Sequence, residues 1–139
     1  MTGNTQQLAD RYAALWNEPD AGRRRQEIGA LWTEDGVHLL HPPADLREIA
    51  ARVGFDEQVL ETRGYRELEV RVERAYQEFV APGEFTFRAR QDAVRLRDAV
   101  RFSWEMVQTA GGDVVGGGTE FVLLDRDGRI TADYQFPGL

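Results

Sequence analysis

The spacing of apolar residues changes period partway along the chain. From about Asn4 to Asn17, Leu8, Tyr12, Leu15 and Trp16 recur at helical steps on one face, and Asn4 or Thr5 can cap the start. Pro19 disfavours helical geometry in Glu18 and ends this segment. A second helix is expected from about Asp20 to Trp32, burying Ile28, Leu31 and Trp32. Within it, Arg23, Arg24 and Arg25 point in three directions, as a solvated surface would have them. Thr33–Gly36 reads as a turn, followed by a short apolar strand, Val37–His41, which Pro42 and Pro43 stop. Ala44–Val53 is weakly helical, and Gly54–Arg63 reads as a loop or lid. A long amphipathic helix then spans about Tyr65 to Val80, with Leu68, Val72, Ala75, Tyr76 and Phe79 inward, and Ala81-Pro82-Gly83 closes it. From there the period shortens to that of strands: Glu84–Asp92, Val94–Gln108, Asp113–Asp125 and Arg129–Phe136.

Helices followed by long antiparallel strands make an α+β layout, in which helices cover one face of a curled sheet and a cavity lies between them. Gly116-Gly117-Gly118 supplies the bend. The last two strands form a hairpin about Asp125-Arg126-Asp127-Gly128. Both of its faces are substantially apolar, yet Glu120 and Asp133 lie within its strands. A carboxylate on a covered face costs several kcal/mol unless it is paired, hydrogen-bonded or protonated. The hairpin therefore reads as pocket lining, unless Glu120 pairs with an arginine of a neighbouring strand, Arg88, Arg90 or Arg101. Trp104, alternating with Phe102 and Met106, is expected in the core or the pocket wall.

Composition narrows the classes of function. The chain has 139 residues, read as one domain over 1–139, and 42% are hydrophobic, enough for a core. With no cysteine, disulfides, thiolate metal sites and cysteine nucleophiles are excluded. A net charge of −7 argues against nucleic acid or an anionic membrane as partner. No stretch approaches a membrane span and MTGNTQQLADRY is too polar for a signal peptide, so a cytoplasmic protein is expected. The two histidines, His38 and His41, are an odd number of residues apart on one strand, so they do not share a face and a two-histidine metal site is not expected.

Arg11-Tyr12-Ala13-Ala14-Leu15-Trp16-Asn17, Leu31-Trp32-Thr33-Glu34-Asp35-Gly36, Gly118-Thr119-Glu120-Phe121 and Asp127-Gly128-Arg129-Ile130, in this order of elements, resemble the NTF2-like superfamily, and within it the SnoaL-like and ketosteroid-isomerase-like branch. The resemblance covers nearly the whole chain, most weakly Ala44–Arg63, the segment that with Phe55 sets the pocket's size. It implies a cone-shaped α+β fold, with a curved antiparallel sheet wrapped around a long helix, two N-terminal helices and an enclosed pocket. In ketosteroid isomerases a tyrosine of the first helix donates to an oxyanion; the matching residue is Tyr12. Their base is an aspartate directly before a proline at the end of the first strand, a place held here by His41. Their second donor is an aspartic acid, held neutral, eight residues before the hairpin glycine, a place taken here by Glu120. SnoaL-type cyclases carry a histidine and, two residues on, an aspartate in the last strand; Asp133 and Gln135 stand at those positions.

Two classes of function follow. The first is a cofactor-free, metal-free acid/base enzyme of isomerase or cyclase type acting on an apolar carbonyl compound, with His41 as base, Tyr12 and Glu120 as oxyanion donors and Asp133 as auxiliary acid or base. Trp16, Phe102, Trp104, Val122 and Gln135 would line its substrate site. The second is a non-catalytic module that binds an apolar ligand in the same cavity. A water-activating, epoxide-hydrolase-like enzyme is a further alternative. The resemblance also implies a homodimer through the sheet.

Overall fold

The computed structural model describes residues 2–42, 44–54 and 60–138; side chains are described from residue 5, excluding those of residues 46, 49 and 50. Helix α1 runs Thr2–Leu15 and α2 Ala21–Leu31, the latter capped by the Asp20 side chain, which accepts from the Arg23 N–H at 2.8 Å. Strand β1 is Trp32–Leu40, and α3 is Ala44–Arg52. Next come β2 (Leu60–Arg63) and α4 (Gly64–Ala75), which widens into a π-helical turn at Tyr76–Val80. The remaining strands are β3 (Phe85–Ala89), β4 (Val94–Leu96), β5 (Ala99–Gln108), β6 (Val114–Leu124) and β7 (Ile130–Pro137).

The strands form one curved, unclosed mixed sheet in the order β2-β1-β7-β6-β5-β3, with β4 also on β5. Neighbours are antiparallel apart from β1 and β7, which run parallel, a pairing that no local periodicity announces. Three readings of the sequence need correction. The Val94–Gln108 segment is not one strand: Arg97, at φ 53°, turns the chain so that β4 folds back on β5. Thr33–Gly36 is not a free turn but the bulged part of β1, where pairing with β7 skips from Trp32–Ile130 to Val37–Ala132. Leu60–Arg63, read as loop or lid, is an edge strand on β1; Phe55 lies outside the described residues.

Two glycines allow the close approaches on which the sheet depends. A Cβ on Gly36 would stand 2.8 Å from the Trp32 ring and 3.0 Å from the Ile130 carbonyl, so the bulge closes only with glycine. A Cβ on Gly118 would stand 2.6 Å from the Phe136 carbonyl and 2.8 Å from the Trp104 ring. The core lies between the sheet and α1, α2 and α4, and contains Tyr12, Leu15, Ile28, Leu31, Trp32, Leu68, Val72 and Phe102. These include the apolar faces expected of the first, second and long helices. Tyr76 and Phe79 are less covered than that pattern implied, because the π-turn shifts the stripe. In the arginine run, Arg23 and Arg25 are exposed as expected, but Arg24 is buried, donating to the Glu18 carbonyl and stacking 5.1 Å from the Tyr76 ring centroid. Among the described residues no helix is long and apolar enough to cross a membrane.

Candidate active site

Register assembles the site. His38 of β1 pairs with Asp133 of β7, and Asp133 with Val122 of β6. Two residues along, Leu40 pairs with Gln135, Gln135 with Glu120, and Glu120 with Phe102 of β5. Side chains alternate along strands, so these two rows share the face toward the helices. Tyr12 reaches them from α1, where it is one of the apolar-stripe positions, and Arg71 from α4, three residues after Leu68 and four before Ala75. The result is a group of polar side chains set inside the core, with Glu120 and Asp133 at 0% exposure, His38 at 1% and Tyr12 at 2%.

The Tyr12 hydroxyl donates to Asp133 Oδ2 at 2.6 Å, a buried, charge-assisted geometry. Gln135 Nε2 donates to Glu120 Oε1 at 2.7 Å, and its Oε1 faces the Arg71 guanidinium at 3.5 Å. Asp133 Oδ1, Glu120 Oε2 and both ring nitrogens of His38 are buried without a hydrogen-bond partner among the described residues. Each such atom costs about 1–3 kcal/mol. Four of them in one place are hard to account for by stability alone, and buried unpaired groups concentrate where chemistry is done.

Burial and mutual repulsion set the protonation states. Glu120 is pushed well above the usual carboxylate range, first by desolvation and then by the charge of Asp133. His38 is pushed down, because burial outweighs the attraction of Asp133, so at 4.0 Å from that carboxylate it is a neutral imidazole rather than an ion-pair partner. Burial, then the charges of Asp133 and Glu120, raise the Tyr12 phenol well above 10, keeping it a hydroxyl. Glu120, His38 and Tyr12 are thus held toward their neutral forms around Asp133.

A linkage consequence follows for Glu120. Its folded pKa lies above its unfolded value, so its stabilisation is complete below the unfolded pKa and is lost as pH rises through the folded one. Glu120→Gln keeps the shape and the acceptor for Gln135 but cannot ionise. Its urea midpoint is expected to fall less than the native one on the alkaline side; parallel curves would mean that Glu120 is already ionised in the fold.

Above the cluster lies a cavity of about 250 Å³, somewhat below the usual range for ligand pockets. Its walls are mainly apolar, including Trp16, Phe79, Phe87 and Trp104, and its polar edge is made by Tyr12, Gln135 and Arg71. Of the residues expected at the site, Tyr12, Trp16, Trp104 and Gln135 line the cavity, while Glu120 and Asp133 lie behind its wall. Phe102 and Val122, expected as lining, are core residues at 0% exposure beneath it. Glu120 does not pair with an arginine; Arg88 and Arg90 instead hold Glu105 on the outer face, at 3.0 and 3.4 Å.

His41 is not brought to this group. It is exposed, its ring lies 6.0 Å from that of Phe136, and its N–H donates to the Gln135 carbonyl. The histidine in the cluster is His38, because even-numbered positions of β1 after the bulge face inward. Arg71 went unnoticed in the sequence, although its place beside the Leu68–Val72–Ala75 stripe was the available signal. His38, Glu120 and Asp133 can each offer a ligand atom within 4.8 Å of the other two, so they are the described residues able to hold a divalent ion.

No family model and no curated protein matches the chain. Solved structures do. A SnoaL-like family protein from Agrobacterium tumefaciens, described as a candidate isomerase, is 29% identical, with all of both chains covered and a TM-score of 0.77. A SnoaL-like protein of unknown function from Burkholderia thailandensis is 14% identical, covering 100% of this chain and 98% of that one, at a TM-score of 0.65. A candidate polyketide cyclase from Sinorhizobium meliloti is 10% identical, with 97% and 98% covered and a TM-score of 0.58. The last two speak for the fold alone. With its sheet order and its full-length likeness to the first, the chain has the NTF2-like fold and is similar to SnoaL-like proteins.

Proposed function

We propose that the protein is an acid/base enzyme of isomerase or cyclase type that needs no cofactor and acts on an apolar, carbonyl-bearing small molecule. One observation carries this reading: the hydrogen bond from Tyr12, on the cavity wall, to Asp133, sealed behind it. A carboxylate that no ligand can touch is thereby connected to the cavity through one hydroxyl, as a water could connect it. In the reaction, the Tyr12 oxygen takes the proton from the carbon next to the substrate carbonyl while its own proton passes to Asp133 Oδ2. The electron pair of the broken C–H bond becomes an enolate, whose oxygen faces the positive charge of Arg71. Return of a proton by the reverse path to a different carbon of the conjugated system completes an isomerisation. Attack of the enolate carbon on a second carbonyl of the same molecule forms a C–C bond instead, and the new alkoxide takes the proton. Asp133 is the acceptor in this scheme because its Oδ2 is the atom that the Tyr12 hydroxyl touches. His41 has no part in this scheme.

The test is hydrogen exchange. A panel of small apolar ketones incubated with the protein in deuterium oxide should lose the NMR signal of the hydrogens next to the carbonyl faster than in buffer. No acceleration for any ketone that binds the cavity would contradict the reading. A second reading, a non-catalytic ligand carrier, is favoured by the complete burial of His38, Glu120 and Asp133, and predicts that negative result. The outer face of the sheet, with Phe121 and Phe136 exposed, suits a homodimer; a sedimentation mass near one chain of 15.8 kDa would contradict that.

A further inference from the structure

We infer that the ligand enters the cavity as an anion, a small monocarboxylate with a flat apolar body, whose carboxylate is held by Arg71. This rests on the cavity being a ligand site, as proposed above, but not on any turnover there. Arg71 has no carboxylate within 4.0 Å among the described residues, and its one polar contact is the 3.5 Å approach to Gln135. A guanidinium carries five N–H donors, so most of this fork is free. Its Cζ stacks 5.0 Å from the centroid of the Trp16 ring, which fixes its plane at the cavity wall.

The placement of the carboxylates points the same way. The buried acceptors, Asp133 and Glu120, lie behind Tyr12 and Gln135. The full charge that the wall presents to a ligand is therefore the positive one of Arg71, beside the Tyr12 hydroxyl and the Gln135 amide. Burial lowers the pKa of Arg71, with Tyr12, Glu120 and Asp133 opposing the shift, which marks a cation short of solvation. A planar carboxylate matches the fork in two parallel hydrogen bonds. Aromatic walls on Trp16, Phe87 and Trp104 suit a flat body. The cavity volume equals about eight water molecules of liquid, which limits the ligand to roughly the size of one substituted ring.

The experiment is calorimetric titration with phenylacetate and with phenylacetamide, its neutral counterpart of the same shape. The native protein should bind the acid at least about tenfold more tightly than the amide. Arg71→Gln should remove that preference by weakening the acid far more than the amide, whose remaining binding shows that the cavity is intact. Arg71→Lys should keep only part of the preference, because it retains the charge without the fork or the stack. Equal binding of acid and amide, loss of both in Arg71→Gln, or binding of neither would overturn the inference. If the preference is present but no ketone exchanges hydrogen, the anion site stands and the enzymatic reading falls. If neutral ketones exchange and phenylacetate does not bind, the reverse holds.

Discussion

Asp133→Asn and Tyr12→Phe are each expected to slow exchange of the substrate's hydrogens by about 10²–10⁴-fold, the usual contribution of a positioned proton acceptor. The double variant is expected to be no slower than either single one. The reason lies in the geometry. Asp133 is fully buried and touches the cavity only through the Tyr12 hydroxyl, so the two act as one relay. Asn leaves Tyr12 a hydrogen-bond acceptor of the same shape but cannot take its proton. Phe keeps the ring among Trp16, Trp32 and Phe102, at centroid distances of 6.0, 5.6 and 5.4 Å, and removes only the hydroxyl. Independent, additive losses would mean that the two residues act separately, and silence in both would leave the cluster a structural feature.

The largest effect on stability is expected at Trp32. It is wholly buried, opens β1, packs against Tyr12 and sits against the bulge that Gly36 permits. Trp32→Ala should cost about 3–5 kcal/mol, the usual range for deleting a large buried ring. For a chain of this length that corresponds to a melting point lower by roughly 10–17 °C. The Tyr65 hydroxyl would still donate to the residue 32 carbonyl, at 3.0 Å in the native chain, so strand pairing should survive while packing fails. A loss under about 1 kcal/mol would mean that the core closes around the vacated ring, and that the bulge rather than the indole holds this corner.

The fold was legible in the sequence where one element decides its own pattern. Leu8, Tyr12, Leu15 and Trp16 marked the first helix face, and the alternation after Glu84 marked the sheet. The burial of Glu120 and Asp133 was legible too, because they sit in a hairpin with no polar face to put them on. What stayed hidden depends on pairing between distant segments. The parallel contact of β1 with β7 brings His38 beside Asp133 across most of the chain, and neither strand carries a mark of its partner. His41 precedes Pro42, the position that the resemblance assigns to a base. The bulge at Gly36 and the alternation beyond it turn that residue outward instead. Arg71 illustrates a different limit. A charged residue beside an apolar stripe reads as a snorkelling surface residue until a cavity is known to lie next to it.

The central claim is that Asp133 takes the substrate's proton through Tyr12 rather than helping to hold the substrate. It is tested most directly by measuring affinity and exchange rate on one ketone, for the native chain and for Asp133→Asn. The account predicts an affinity within a few fold of native and an exchange rate reduced toward that of buffer. Affinity and exchange falling together, or exchange unchanged, would contradict it.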